Sequence, residues 1–119
     1  MHESLLAKDT LDLIISEARK NNASKVLKAK VVIADTENLS TEAFKMHLIN
    51  YAKGTIAERM EVDLKFIQIP IICKDCGYKF YTDAHIYVCE NCGSTNTELG
   101  AEEGIKVEYI DIDTEEAKL

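Results

Sequence analysis

The chain has 119 residues, 46% of them hydrophobic and 29% charged, with a single Pro; this is enough apolar material for a folded core and the wrong composition for disorder. Lys plus Arg number 14 against 21 Asp plus Glu, a net charge of −7, and most of that excess lies between Glu98 and Leu119, where eight acidic residues accompany two basic ones. Such a balance repels a phosphate backbone, and the loose group of Lys25, Lys28, Lys30, Lys74 and Lys79 reads as a solvated face, so no nucleic acid is expected as a partner. No apolar run approaches the roughly 20 residues of a membrane span, and MHESLLAKDT lacks the regions of a secretion signal. The expected location is cytoplasmic.

Residues 4–20 read as a helix. Ala7, Leu11, Ile14, Ile15 and Ala18 recur at spacings of three and four, Ser4 is placed to cap the start, and Asn21-Asn22 ends the pattern. Residues 26–34 read as a strand, in which Leu27, Ala29, Val31 and Ile33 alternate with Lys28 and Lys30. Asp35 and Glu37 follow it as a solvated turn. A second helix is expected over 41–53, with Ser40 as N-cap, Leu39 and Phe44 as a hydrophobic staple, and Gly54 as the stop. Its apolar stripe is Phe44, Leu48 and Tyr51, with His47 at the edge of the core. A strand follows at 61–67, where Val62, Leu64 and Phe66 face away from Asp63 and Lys65. The last strand, 105–112, opens with Ile105, Val107 and Tyr109 against Lys106 and Glu108.

Pro70 and the Gly100–Gly104 stretch bracket a cysteine-bearing segment. The expected fold is α+β: a small α/β domain, two helices on a three-stranded sheet built from residues 1–70 and 98–119, interrupted by a metal ribbon at 71–97. The last strand then rejoins the first sheet. Two knuckles lie in the insert, Cys73-Lys-Asp-Cys76-Gly77 and Cys89-Glu-Asn-Cys92-Gly93, with twelve residues between them. In a reducing compartment, paired CxxC spacing reads as metal rather than disulfide. Four thiolates close a tetrahedral zinc shell with no open position, so Cys73, Cys76, Cys89 and Cys92 are expected to form a structural site that stabilises a segment too small for its own core. Iron held by the same four sulfurs, as in rubredoxin, satisfies the geometry too. A dithiol redox pair leaves the second CxxC unexplained. His85 lies inside the insert, either exposed or beside the ligands.

The other unusual feature is Met-His-Glu at the start. An initiator methionine before a large residue is generally retained, which leaves His2 in second place. The amine of Met1, the backbone nitrogen of His2 and its imidazole can then close two fused chelate rings on one ion. A further backbone nitrogen or a nearby side chain completes the plane that Ni(II) and Cu(II) prefer. From these residues alone, a frayed terminal histidine is the competing reading.

Met-His-Glu-Ser-Leu at the start, AKGTIAERMEVDL before the insert, the paired CxxCG knuckles and the closing GAEEGIKVEYIDI together resemble the HypA/HybF family, in order and over nearly the whole chain. These are nickel-incorporation proteins for hydrogenase maturation. The resemblance implies a nickel-binding α/β domain joined to a zinc-binding domain, and a metallochaperone rather than an enzyme. It implies Zn(II) on the four cysteines and Ni(II) at Met1, His2 and Glu3, with Glu3 giving its backbone nitrogen. The partners it implies are a nickel-site GTPase, the hydrogenase large-subunit precursor and urease accessory proteins. Three departures leave the remaining nickel ligand open. Ile33-Ala34-Asp35-Thr36 stands where members often read Val-Gly-Glu-Leu, Ser40 stands where some offer Asp, and Gly104 follows Glu103 near the end. Two other classes compete with the carrier. A zinc-ribbon module for nucleic acid or protein binding explains the knuckles and little else, and a rubredoxin-like electron carrier would be coloured.

Overall fold

The computed structural model describes residues 3–82 and 86–114. The elements run α1 (Glu3–Lys20), β1 (Ala23–Asp35), α2 (Thr41–Ala52), β2 (Glu61–Gln68), β3 (Ile71–Cys73), β4 (Lys79–Phe80), β5 (Thr97–Leu99) and β6 (Gly104–Thr114). They form two three-stranded sheets, ordered β2-β1-β6 and β4-β3-β5. The fold is therefore mixed α+β, with two helices on the first sheet and the ribbon inserted between β2 and β6, as the sequence predicts.

The first sheet owes its order to chain connectivity. α2 is the crossover that brings β2 back parallel to β1, from Lys28↔Glu61 to Asp35↔Gln68. After the insert, β6 returns antiparallel along the other side of β1, from Ala23↔Thr114 to Ala34↔Gly104. β1 is thus the central strand. Its Ala29, Val31 and Ile33 are almost fully buried against Ala7, Leu11, Ile14 and Ala18 of α1 and Phe44, Leu48 and Ala52 of α2. The other face of this sheet is polar, where Lys28 meets Glu61 at 3.5 Å and Lys30 meets Glu108 at 3.8 Å.

Four local expectations are corrected. Tyr109 does not share the face of Ile105 and Val107: β6 carries an extra residue against β1 between Val107 and Tyr109, so Tyr109 is exposed while Ile110 and Ile112 pack on the core. Ser4 lies inside α1 rather than capping it, and its hydroxyl pairs with that of Tyr51 at 2.6 Å, tying α1 to α2. Leu27 is 45% exposed while Val26 is buried, because β1 shifts register against β6 between Val26 and Lys28 and turns one residue over. His47 is exposed, lying against the Tyr51 ring rather than at the core edge. Other signals hold. Ser40 caps α2 by accepting from Ala43 N–H at 3.1 Å, Leu39 and Phe44 are both buried, and Asn22 and Gly54 end their helices at φ 57° and 79°. His85 lies outside the described residues.

The second sheet has its own small core of Ile71, Cys73, Phe80 and Cys89, flanked by Tyr87 and Leu99. Its pairing extends to Leu99, where Gly100 N–H donates to the Pro70 carbonyl at 2.8 Å and closes the neck of the insert. A Cβ at Gly100 would lie 2.8 Å from Pro70 Cγ, so only glycine fits this crossing without a shift.

Candidate metal centre

The two knuckles are built alike. In the first, Gly77 N–H donates to Cys73 O at 2.9 Å and Cys73 N–H to Tyr78 O at 2.9 Å; in the second, Gly93 N–H donates to Cys89 O at 2.9 Å and Cys89 N–H to Ser94 O at 2.8 Å. Each turn needs a left-handed residue after its second cysteine, and Gly77 and Gly93 supply it at φ 78° and 74°. β3 carries the first knuckle out of the small core, so the leading cysteine of each pair, Cys73 and Cys89, is buried, and Cys76 and Cys92 are exposed.

The four Sγ atoms lie within 4.8 Å of one another. Cys73 and Cys92 are 3.6 Å apart, as are Cys76 and Cys89. A disulfide needs about 2.05 Å, whereas four sulfurs about 2.3 Å from one tetrahedral ion stand about 3.8 Å apart. The spacing fits a four-coordinate metal and excludes a cystine. Among the described residues, no other group of three or more His, Cys, Asp or Glu side chains converges in this way.

The surroundings favour thiolates unequally. Asn91 N–H and Cys92 N–H donate to Cys89 Sγ at 3.3 and 3.5 Å, and Asn91 Nδ2 donates to Cys76 Sγ at 3.6 Å. The Asn91 amide, with help from the Tyr78 backbone, pulls the Cys76 thiol down to about 6. The Ser94 backbone pulls on Cys92, but the facing Cys73, burial and the other sulfurs outweigh it and push that thiol up to about 12. Without a cation, the cluster keeps a proton at Cys92 where Cys76 is ionised. Four thiolates together need a positive charge at their centre.

Residues that motif reading missed hold the two knuckles to each other and to the first sheet. Asp75 in the first knuckle accepts from Ser94 Oγ and, at 3.0 Å, from Asn96 Nδ2 beyond the second; these bonds hold its carboxyl below the usual range. The Tyr87 hydroxyl pairs with Thr36 Oγ1 at 3.2 Å, which links the ribbon to the end of β1, while Thr97 Oγ1 donates to the Tyr87 carbonyl at 3.0 Å. The sequence signal for the Asp75 clasp is the polar filling of the knuckles and the Ser94-Thr-Asn96 run after them. Nothing in the sequence signals the Tyr87–Thr36 bond.

At the other candidate site, Met1 and His2 lie outside the described residues. Glu3 opens α1, is buried, and accepts from Ser40 N–H at 3.0 Å through Oε2. Ser40 is thereby occupied at both its hydroxyl and its N–H. Asp35 and Glu37 are buried rather than solvated, and Asp35 Oδ1 accepts from Glu37 N–H at 2.8 Å. Three acidic residues are thus buried around the α1 start and the β1–α2 connection.

Comparison with known proteins shows the family of the chain. The family described as "Hydrogenase/urease nickel incorporation, metallochaperone, hypA" matches residues 1–112. The hydrogenase maturation factor HypA of Aquifex aeolicus is 32% identical over 99 residues, covering 83% of this chain and 86% of that protein. HypA of Dehalococcoides mccartyi is 27% identical over 115 residues, 97% of each chain. Among solved structures, the Ni metallochaperone HypA from Helicobacter pylori superposes with a TM-score of 0.63 at 21% identity, covering 95% of this chain and 98% of that one, a likeness of fold. With its two helices on a β2-β1-β6 sheet, an inserted four-cysteine ribbon, and a family match from residue 1 to 112, this chain belongs to the HypA family of hydrogenase and urease nickel-incorporation metallochaperones.

Proposed function

We propose that this protein is a nickel carrier with two metal sites of different purpose. Residues 1–70 with 98–119 form the nickel-binding domain, and residues 71–97 form the zinc ribbon. Cys73, Cys76, Cys89 and Cys92 hold Zn(II), which, when bound, supplies folding energy and no open coordination position. Nickel is the cargo. It binds through the Met1 amine, the backbone nitrogen and imidazole of His2, and the backbone nitrogen of Glu3. The observation that carries this reading is the closed set of four mutually adjacent sulfurs: a shell already full cannot load and release a second metal, so the cargo needs another ligand set. The N-terminal Met-His-Glu is the candidate in this sequence. Anchoring of the Glu3 carboxylate by Ser40 N–H supports it, since that bond holds in place one of the residues assigned to the chelate.

A carrier has no reaction to perform, and its ligands must let go. A terminal chelate at neutral pH meets that need. Its recipients are a hydrogenase large-subunit precursor and, through accessory proteins, urease, with a nickel-site GTPase in the transfer. The test is nickel binding by the untagged chain, by the chain with a peptide fused before Met1, and by His2→Ala, alongside hydrogenase activity in cells carrying each. Both changes are expected to abolish nickel binding and lower activity at normal protein abundance, while the zinc content stays at one per chain. Equal nickel affinity for tagged and untagged protein would remove the terminal amine from the site.

A further inference from the structure

Neither the helix-covered core nor the ribbon accounts for His47. It is exposed on α2, and its ring lies over that of Tyr51, with centroids 6.4 Å apart and planes inclined by 25°. Stacking occupies the face of an imidazole and leaves its edge open, and the edge carries both nitrogens. Among the described residues, no hydrogen bond holds either of them.

The helix period sets the place of this ring. At about 100° per residue, Ser40, His47 and Tyr51 fall within about 20° of one line along α2. Ser40 lies about two turns before His47, and Tyr51 about one turn after it. The start of α1 is bound to that line on both sides of the histidine. Glu3 Oε2 accepts from Ser40 N–H at 3.0 Å, and Ser4 Oγ pairs with the Tyr51 hydroxyl at 2.6 Å. His47 therefore stands on the stripe of α2 that meets Glu3 and Ser4. His2 is bonded to Glu3, so across a trans peptide its Cα is about 3.8 Å from that of Glu3.

Other polar side chains around the α1 start and the β1–α2 connection are tied into the fold. Ser40 Oγ accepts from Ala43 N–H at 3.1 Å, Asp35 Oδ1 accepts from Glu37 N–H at 2.8 Å, and the Glu3 carboxylate is held as above. Among the described residues His47 is the one imidazole, a donor suited to Ni(II). Tyr51 already restricts its ring, which lowers the entropy lost when it closes on a metal.

We propose that His47 supplies a side-chain ligand to the nickel cargo, closing from α2 the terminal chelate on which this reading rests. Residues 1–3 alone would hold nickel as a free tripeptide does. A ligand from α2 ties the metal to the folded domain, because the imidazoles of His2 and His47 meet only when α1 has packed on α2.

Nickel K-edge X-ray absorption on the untagged, zinc-loaded full chain counts the imidazoles at the metal, and competition titration gives the affinity. The native protein is expected to show two imidazoles per nickel. His47→Ala is expected to show one and to bind nickel at least about tenfold more weakly. Zinc content and the unfolding midpoint are expected to stay unchanged, since an exposed side chain outside the core contributes little to stability. Free imidazole added to His47→Ala is expected to restore part of the affinity. An imidazole count unchanged by His47→Ala overturns the proposal whatever the affinity does, and so does native affinity in that variant. His2→Ala separates this from the reading beneath it. Lost nickel binding in His2→Ala with an unchanged count in His47→Ala removes His47 alone, whereas native binding by His2→Ala removes the terminal chelate and His47 with it.

Discussion

Replacing Cys89 by alanine tests the metal centre where its ties are densest. Cys89 is buried in the small ribbon core, lies 3.6 Å from Cys76 Sγ, and accepts from two backbone N–H groups, those of Asn91 and Cys92. A structural Zn(II) is worth about 10–16 kcal/mol to a small domain, so an even share among four sulfurs puts one thiolate at roughly 3 kcal/mol, about two orders of magnitude in affinity. The two N–H groups that lose their acceptor add to this. The damage stays local, because the ribbon core and the helix-covered core are separate clusters. The assay is zinc content after dialysis against a chelator, joined to amide hydrogen exchange. Zinc is expected to fall well below one per chain, with protection lost in β3–β5 and kept in α1, β1 and β6. Full zinc retention would refute the four-sulfur shell, and simultaneous loss of protection throughout the chain would refute the independence of the two cores.

Asn91→Ala removes the donor that does most to stabilise the Cys76 thiolate, and zinc transfer to a competing chelator is expected to quicken about 10–100-fold; an unchanged rate would assign the asparagine no role there. Zinc affinity is expected to rise with pH by at least one decade per unit through the neutral range, since binding there displaces a proton from Cys92, held up at about 12, and to steepen below about 6, where Cys76 is protonated as well. A pH-independent affinity between 6 and 8, measured by competition titration, would contradict that thiol assignment. Phe44→Ala empties the largest fully buried side chain of the helix-covered core and is expected to cost about 3–5 kcal/mol in denaturant unfolding while zinc content is unchanged.

Much of this protein is local and therefore legible in its residues. The helix stripes, the Ser40 cap, the Gly54 stop and the CxxCG knuckles each depend on side chains a few positions apart, where spacing fixes geometry. The family followed from such short segments occurring in order. What the residues could not fix were relations across the chain. The alternation over 26–34 pointed Leu27 inward, but the register shift against β6 buries Val26, and that shift exists only when the two strands meet. Ser4 satisfies every local rule for a cap, yet it bonds to Tyr51, 47 residues away, because α1 packs on α2. Asp35 and Glu37 read as a solvated turn, and they are buried where β1 runs toward the start of α2. Asn91 became a partner of Cys76 only when the second knuckle closed on the first. Sequence spacing carries angles along one element. Which elements touch, and which polar group then loses its water and must find a partner, is decided by packing over distances that no local pattern encodes.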